Sequence, residues 1–169
     1  NKKDPVLMNY KNLIRSIPDF PQEGILFRDI TPLIQDPIAY KSSIKDMLGG
    51  IEDLEIDAIA AVEARGYLFG APMAVELGVP FIPIRKLGKL PYKTISIEYQ
   101  LEYGTATLEM HIDSLTKGQN ILLVDDLLAT GGTLRAAASL IEKAEGNVIG
   151  ISVLIELLGL SGRELLEDY

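Results

Sequence analysis

Four short apolar runs mark the chain: Ala58–Val62, Val79–Ile84, Ile121–Val124 and Val148–Ile155. Each is shorter than a typical helix and is bounded by Asp, Gly, Asn or Pro, so each reads as a buried strand. Between them the spacing turns helical. Gly66–Leu77 predicts a helix with Gly78 as its C-terminal cap, and Thr133–Ala144 predicts another. Upstream, Leu7, Tyr10, Leu13, Ile14 and Ile17 recur at helical intervals and predict an amphipathic helix over Val6–Ile17, stopped by Pro18. Asp36-Pro37 supplies an N-cap followed by proline at the first helical position, and that helix runs to Gly49-Gly50. A last helix is expected over Gly159–Glu167.

Strands alternating with helices define an α/β fold, a mainly parallel twisted sheet flanked by helices. Two segments leave that rhythm. Pro18–Leu33, rich in proline, reads as an ordered loop with short strands. Leu87–Gly104 mixes Gly, Pro, Lys and Tyr, and Thr94–Tyr99 can pair with Thr105–Ile112 as an antiparallel hairpin. In the second of these strands Ala106, Leu108, Met110 and Ile112 share one face. Thr107, Glu109 and His111 share the other, which reads as solvated, so neither Glu109 nor His111 is given a role. With no repeat and no linker, residues 1–169 are expected to form a single domain.

Composition changes this picture in two places. There is no cysteine, which excludes disulfides and thiolate metal sites and agrees with a cytoplasmic setting; no stretch reads as a signal peptide or membrane span. The net charge of −8 argues against nucleic-acid binding, so any anionic substrate must be met by local clusters of Arg and Lys.

The densest chemistry lies at residues 121–133. The strand Ile121–Val124 runs into Asp125 and Asp126, then Ala129-Thr-Gly-Gly-Thr133, then the predicted helix. Amide groups at a glycine turn and fresh helix N-terminus, with the helix dipole, can hold a phosphate. Thr130 and Thr133 add hydroxyl groups, and the two carboxylates can accept hydrogen bonds from sugar hydroxyls. No lysine stands beside Gly131 or Gly132 and the acids precede the glycines, so nucleoside-triphosphatase and dinucleotide loops both fit poorly. Two other strand ends carry cations, at Glu63-Ala-Arg-Gly66 and at Arg85-Lys-Leu-Gly-Lys89. Ligands of parallel sheets gather at such ends.

Val124-Asp-Asp-Leu-Leu-Ala-Thr-Gly-Gly-Thr133 resembles the phosphoribosyl-diphosphate motif of the type I phosphoribosyltransferase family. Phe20–Asp29, Glu63–Gly66, Arg85–Pro91 and Leu101–Gly104 resemble its adenine-using branch. The resemblance implies a small N-terminal hood (18–36) and a flexible loop (about 87–104) on the α/β core. It implies displacement of diphosphate from C1′ of phosphoribosyl diphosphate by N9 of adenine, giving AMP. By the same token, Asp125 and Asp126 stabilise the ribosyl cation, and Ala129, Thr130, Gly131, Gly132 and Thr133 bind the 5′-phosphate. Arg65, Arg85, Lys86 and Lys89 bind diphosphate, and a non-proline cis peptide is expected at Glu63–Ala64. Leu26, Phe27 and Arg28 line the base site, with Phe20 expected in the core beneath. Glu102, beside Tyr103, transfers or accepts the purine proton. Mg²⁺ is expected to arrive on the substrate rather than in a protein cage. A homodimer is implied, with Arg85 reaching the neighbouring site; no nucleic acid or membrane partner is expected.

Residue chemistry alone leaves the base open, so hypoxanthine, guanine or xanthine remain alternatives to adenine. A non-catalytic phosphoribosyl-diphosphate-binding regulator is the alternative from another class.

Overall fold

The computed structural model describes residues 8–101 and 104–169, which fall into two compact units, residues 1–50 and 51–169. Each is taken by itself.

In the first unit the N-terminal periodicity does not give the helix expected over Val6–Ile17. A single 3₁₀ turn, Tyr10–Leu13, leads into β1 (Arg15–Pro18), which pairs antiparallel with β2 (Leu26–Asp29) and sets Ile17 opposite Phe27. A segment this short, with Pro18 at its end, gains more from strand pairing than from a marginal isolated helix. The Tyr10 hydroxyl bonds Ser42 at 3.0 Å and also Asp46, fixing the turn to the following helical layer. That layer is α1 (Thr31–Gln35) and α2 (Pro37–Gly49). Asp36 Oδ1 accepts from Ile38 N at 2.9 Å and Ala39 N at 3.0 Å, the cap expected from Asp36-Pro37 and worth about 1 kcal/mol.

The second unit is an α/β sheet. Its strands are β3 (Ala58–Val62), β4 (Phe81–Lys86), β5 (Thr94–Gln100), β6 (Thr105–His111), β7 (Asn120–Leu128) and β8 (Asn147–Glu156), in the order β5-β6-β4-β3-β7-β8. β4, β3, β7 and β8 are mutually parallel, and the β5–β6 hairpin joins the sheet antiparallel through β4. The hairpin is thus part of the sheet rather than a free excursion. Helices α3 (Tyr67–Leu77) and α4 (Gly132–Lys143) connect the parallel strands. Gly78, at φ 69°, ends α3 as the cap position requires.

β3 is buried along its whole length, which is why it reads as an unbroken apolar run. Leu134, Ala137, Ala138, Leu140 and Ile141 of α4 pack with Ile121, Leu123, Leu108 and Met110 in one cluster. Each fully buried Leu or Ile contributes roughly 1.5–3 kcal/mol. The C-terminal region is not the helix expected over Gly159–Glu167. It forms two 3₁₀ turns, Leu158–Leu160 and Gly162–Leu166, divided by Ser161 in a left-handed conformation. Among the described residues no helix is long and apolar enough to cross a membrane.

Candidate active site

The site arises where neighbouring strands end at different heights. β3 pairs with β7 only as far as Ala61–Val124 and then turns away at Glu63. β7 continues, because β8 still pairs with it at Asp125, Leu127 and Leu128. The strand expected to stop at Val124 therefore carries both acids within it. Its free side above β3 opens into a cavity of about 390 Å³. Asp125, Asp126, Arg65, Lys86 and the whole Ala129–Thr133 turn line this cavity, with Tyr99 and Leu101 from the hairpin.

At one end lies the start of α4. Gly131, at φ 88°, is its N-cap and provides no side chain to cap the first-turn amides. An uncapped helix N-terminus facing a cavity is a ready anion site. The glycine is needed twice over. Its φ is left-handed, and a Cβ there would lie 2.6 Å from the Gly162 carbonyl oxygen. The contact is reciprocal, since a Cβ on Gly162 would strike Ala129 O and stand 2.9 Å from Leu128 Cδ1. The C-terminal turn is the backing of the Ala129–Thr133 turn.

Successive residues of a strand point to opposite faces, so Asp125 and Asp126 meet different neighbours. Asp126 is 3% exposed and ion-paired with Arg65 at 3.1 Å. Asp125 Oδ1 accepts from Asp126 N at 2.9 Å and packs on Gly66, where a Cβ would come within 2.9 Å of it. Burial, reinforced by the neighbouring charge of Asp126, pushes the Asp125 carboxyl up to about 8.

At the other end Glu63 shapes a cationic turn. Glu63 accepts from Lys86 N at 2.7 Å and from Arg85 at 2.8–2.9 Å, and Arg85 also donates to Lys89 O at 3.0 Å. Burial would raise the Glu63 carboxyl, but these donors outweigh it and hold it below the usual range. Burial, with the charge of Glu63 added, pushes the Tyr67 hydroxyl up to about 12, and that group donates to Ile84 O at 3.0 Å. The Glu63–Ala64 peptide is cis, as the resemblance implied.

The expected site residues thus separate. Asp125, Asp126, Ala129, Thr130, Gly131, Gly132, Thr133, Arg65 and Lys86 line one cavity, whereas Arg85 is engaged by Glu63, and neither it nor Lys89 lines the space. Leu26, Phe27 and Arg28 lie in the first unit on β2, where Arg28 donates to Ser16 and Phe27 meets Phe20 edge to face at 5.1 Å. Phe20 is 51% exposed, not a core residue, because its loop turns it outward beside Phe27. Glu102 and Tyr103 lie outside the described residues.

Glu109 overturns the reading of its strand. It is 3% exposed and accepts from Lys89 N and Leu90 N, both at 3.2 Å. The face read as polar is covered by the turn that follows β4, which alternation within β6 could not reveal. Gly162 was missed as well: nothing local marks it, since its constraint comes from Ala129, more than thirty residues away. Tyr99 carried a weak signal, an aromatic in the hairpin, and its hydroxyl stands 3.4 Å from Thr133 Oγ1. Among the described residues no group of three or more His, Cys, Asp or Glu is placed to hold a metal ion.

With this geometry in view, a family model described as the phosphoribosyl transferase domain matches residues 35–168. An adenine phosphoribosyltransferase of Kosmotoga olearia is 54% identical over 162 residues, covering 96% of this chain and 95% of the relative. The crystal structure of adenine phosphoribosyltransferase from Thermoanaerobacter pseudethanolicus superposes with a TM-score of 0.92 at 53% identity, over 94% of this chain and 92% of that one. The Saccharomyces cerevisiae enzyme, solved with an imino-altritol bisphosphate and adenine, gives 0.86 at 37% identity, over 92% and 90%. The chain belongs to the phosphoribosyltransferase family, and within it to the adenine phosphoribosyltransferases.

Proposed function

We propose that this chain transfers the 5-phosphoribosyl group of phosphoribosyl diphosphate to adenine, giving AMP and diphosphate in purine salvage, with residues 1–169 working as one phosphoribosyltransferase domain. The observation that carries the reading is a single cavity lined by the uncapped start of α4, the Asp125–Asp126 pair, Arg65 and Lys86. Those three features match the three parts of the donor: 5′-phosphate, ribose and diphosphate.

In the reaction the C1′–oxygen bond to diphosphate breaks and a bond from C1′ to N9 of adenine forms. Positive charge develops on the ribose and negative charge on the leaving group. Amides and hydroxyls of Ala129–Thr133 hold the 5′-phosphate and fix the sugar. Asp125 and Asp126 accept from the ribose hydroxyls and favour the cation, and Arg65 and Lys86, with Arg85 and Lys89 on the same turn, favour the departing diphosphate. Mg²⁺ arriving on the diphosphate would add positive charge at the leaving group, beside Arg65 and Lys86. Leu26, Phe27 and Arg28 receive the base, with backbone groups reading its polar edge. Glu102, next in sequence to the cavity-lining Leu101, is the proton-transfer residue for the purine, with Tyr103 beside it. The chain works as a homodimer in this reading, as the resemblance implies, in the cytoplasmic setting with which its lack of cysteine agrees.

Diphosphate release measured across adenine, hypoxanthine, guanine and xanthine tests the base assignment. Adenine is expected to be turned over fastest, and faster turnover of a 6-oxopurine would sink it. Glu102→Gln should lower turnover with adenine by about 10²-fold, the ordinary scale of general acid–base catalysis, while leaving phosphoribosyl-diphosphate binding near wild type. Equal loss of both in steady-state kinetics and calorimetry would make Glu102 structural.

A further inference from the structure

Glu109 is a buried carboxylate that the reaction as described does not use. It sits on β6 opposite Arg85 of β4 and Ser96 of β5, enclosed by the turn that follows β4. A carboxylate removed from water is costly unless hydrogen-bonded, and what bonds Glu109 is the turn itself, through Lys89 N and Leu90 N. The opposite end of the turn is held in the same way, since Glu63 accepts from Lys86 N at 2.7 Å. Two further bonds close the unit: Leu87 N donates to Thr107 O at 3.1 Å, and Arg85 donates to Lys89 O. The segment 86–90, with Gly88 at φ 79°, is therefore gripped at both ends by carboxylates: Glu63, which lines the cavity, and Glu109, which does not.

We infer that Glu109 is a positioning residue for the leaving group: by clamping the amides of Lys89 and Leu90 it fixes the turn that presents Lys86 to the diphosphate. The inference rests on the reading of Lys86 as a diphosphate contact. Lysine is a flexible point charge, so where its backbone is held decides how much of its charge reaches the ligand. Phosphoribosyl diphosphate carries the diphosphate and adenine does not, so loosening the turn weakens the one substrate and spares the other.

The test compares Glu109→Met, which keeps the volume and removes the acceptor, with Glu109→Gln, which keeps an acceptor and removes the charge. Lys86→Ala reports on the underlying reading. Glu109→Met is expected to raise KM for phosphoribosyl diphosphate about tenfold, the scale of one lost hydrogen-bonded constraint, and to lower kcat with it, while KM for adenine stays within about twofold of wild type. Glu109→Gln should restore most of the loss. Glu109→Met, which leaves the Lys89 and Leu90 amides without that acceptor, should melt a few degrees below wild type, and Glu109→Gln closer to it. A Glu109→Met enzyme with unchanged KM beside a Lys86→Ala enzyme with raised KM overturns the inference alone. So does a uniform loss in both KM values and kcat, or a Glu109→Gln enzyme as impaired as Glu109→Met. An unchanged KM in Lys86→Ala overturns the reading of the turn, and the inference with it.

Discussion

Asp125→Asn is expected to lower kcat by about 10²–10³-fold, the usual effect of removing one preorganised charge from a developing transition-state charge. It should do so without unfolding the protein. Asparagine keeps the Oδ1 that accepts from Asp126 N, and as a neutral group it escapes the burial that raises the carboxyl. Stability should then respond to pH with a definite sign. The folded Asp125 carboxyl lies at about 8 against an ordinary value of 3.8, so between these limits the folded state binds more protons than the unfolded one. Its contribution is complete below about pH 4 and is lost as pH rises through about 8. Thermal melts of wild type against Asp125→Asn across pH 5–9 should show the variant gaining relative stability toward alkaline pH. A constant difference would mean that the pair is not coupled through its shared burial, and an undiminished kcat would remove Asp125 from the reaction.

Gly162→Ala should be the most damaging small change remote from the substrate. The added methyl meets Ala129 O and Leu128 Cδ1, and Gly162 O already fills the space beside Gly131, so the Ala129–Thr133 turn must move. Displacement of a positioning element by about 1 Å can cost 10²-fold, and kcat/KM for phosphoribosyl diphosphate is expected to fall by about that factor. The overpacking itself should cost about 1–3 kcal/mol in stability, read from denaturant midpoints. The surrounding turn is well anchored, by Arg163 to Glu156 at 2.6–3.0 Å and by Tyr169 to Glu142 at 2.9 Å, so relief must come from the loop. A variant with wild-type kinetics would show that the loop tolerates the shift.

The α/β core was legible because its signals are local. Apolar runs at Ala58–Val62 and Ile121–Val124, the Asp36 cap and Gly78 each act within a few residues of themselves. The acid–glycine–threonine stretch was legible for the same reason, as consecutive residues carry its whole chemistry. What failed depends on partners distant in sequence. The 10–18 segment has helical spacing but pairs with 26–29, and β7 outlasts its apolar run because β8 supplies hydrogen bonds through Leu128. Glu109 alternates as a surface residue should, yet a turn twenty positions away covers it. The roles of Arg65 and Lys86 rest on resemblance; what the strand ends add is that both residues line the cavity that the acids line.

A crystal structure of the protein soaked with ribose 5-phosphate and magnesium diphosphate tests the central claim most directly. The 5′-phosphate should lie within about 3 Å of the amides of residues 130–133, with the ribose hydroxyls on Asp125 and Asp126 and diphosphate against Arg65 and Lys86. A phosphate bound away from the start of α4, or carboxylates turned from the sugar, would contradict it.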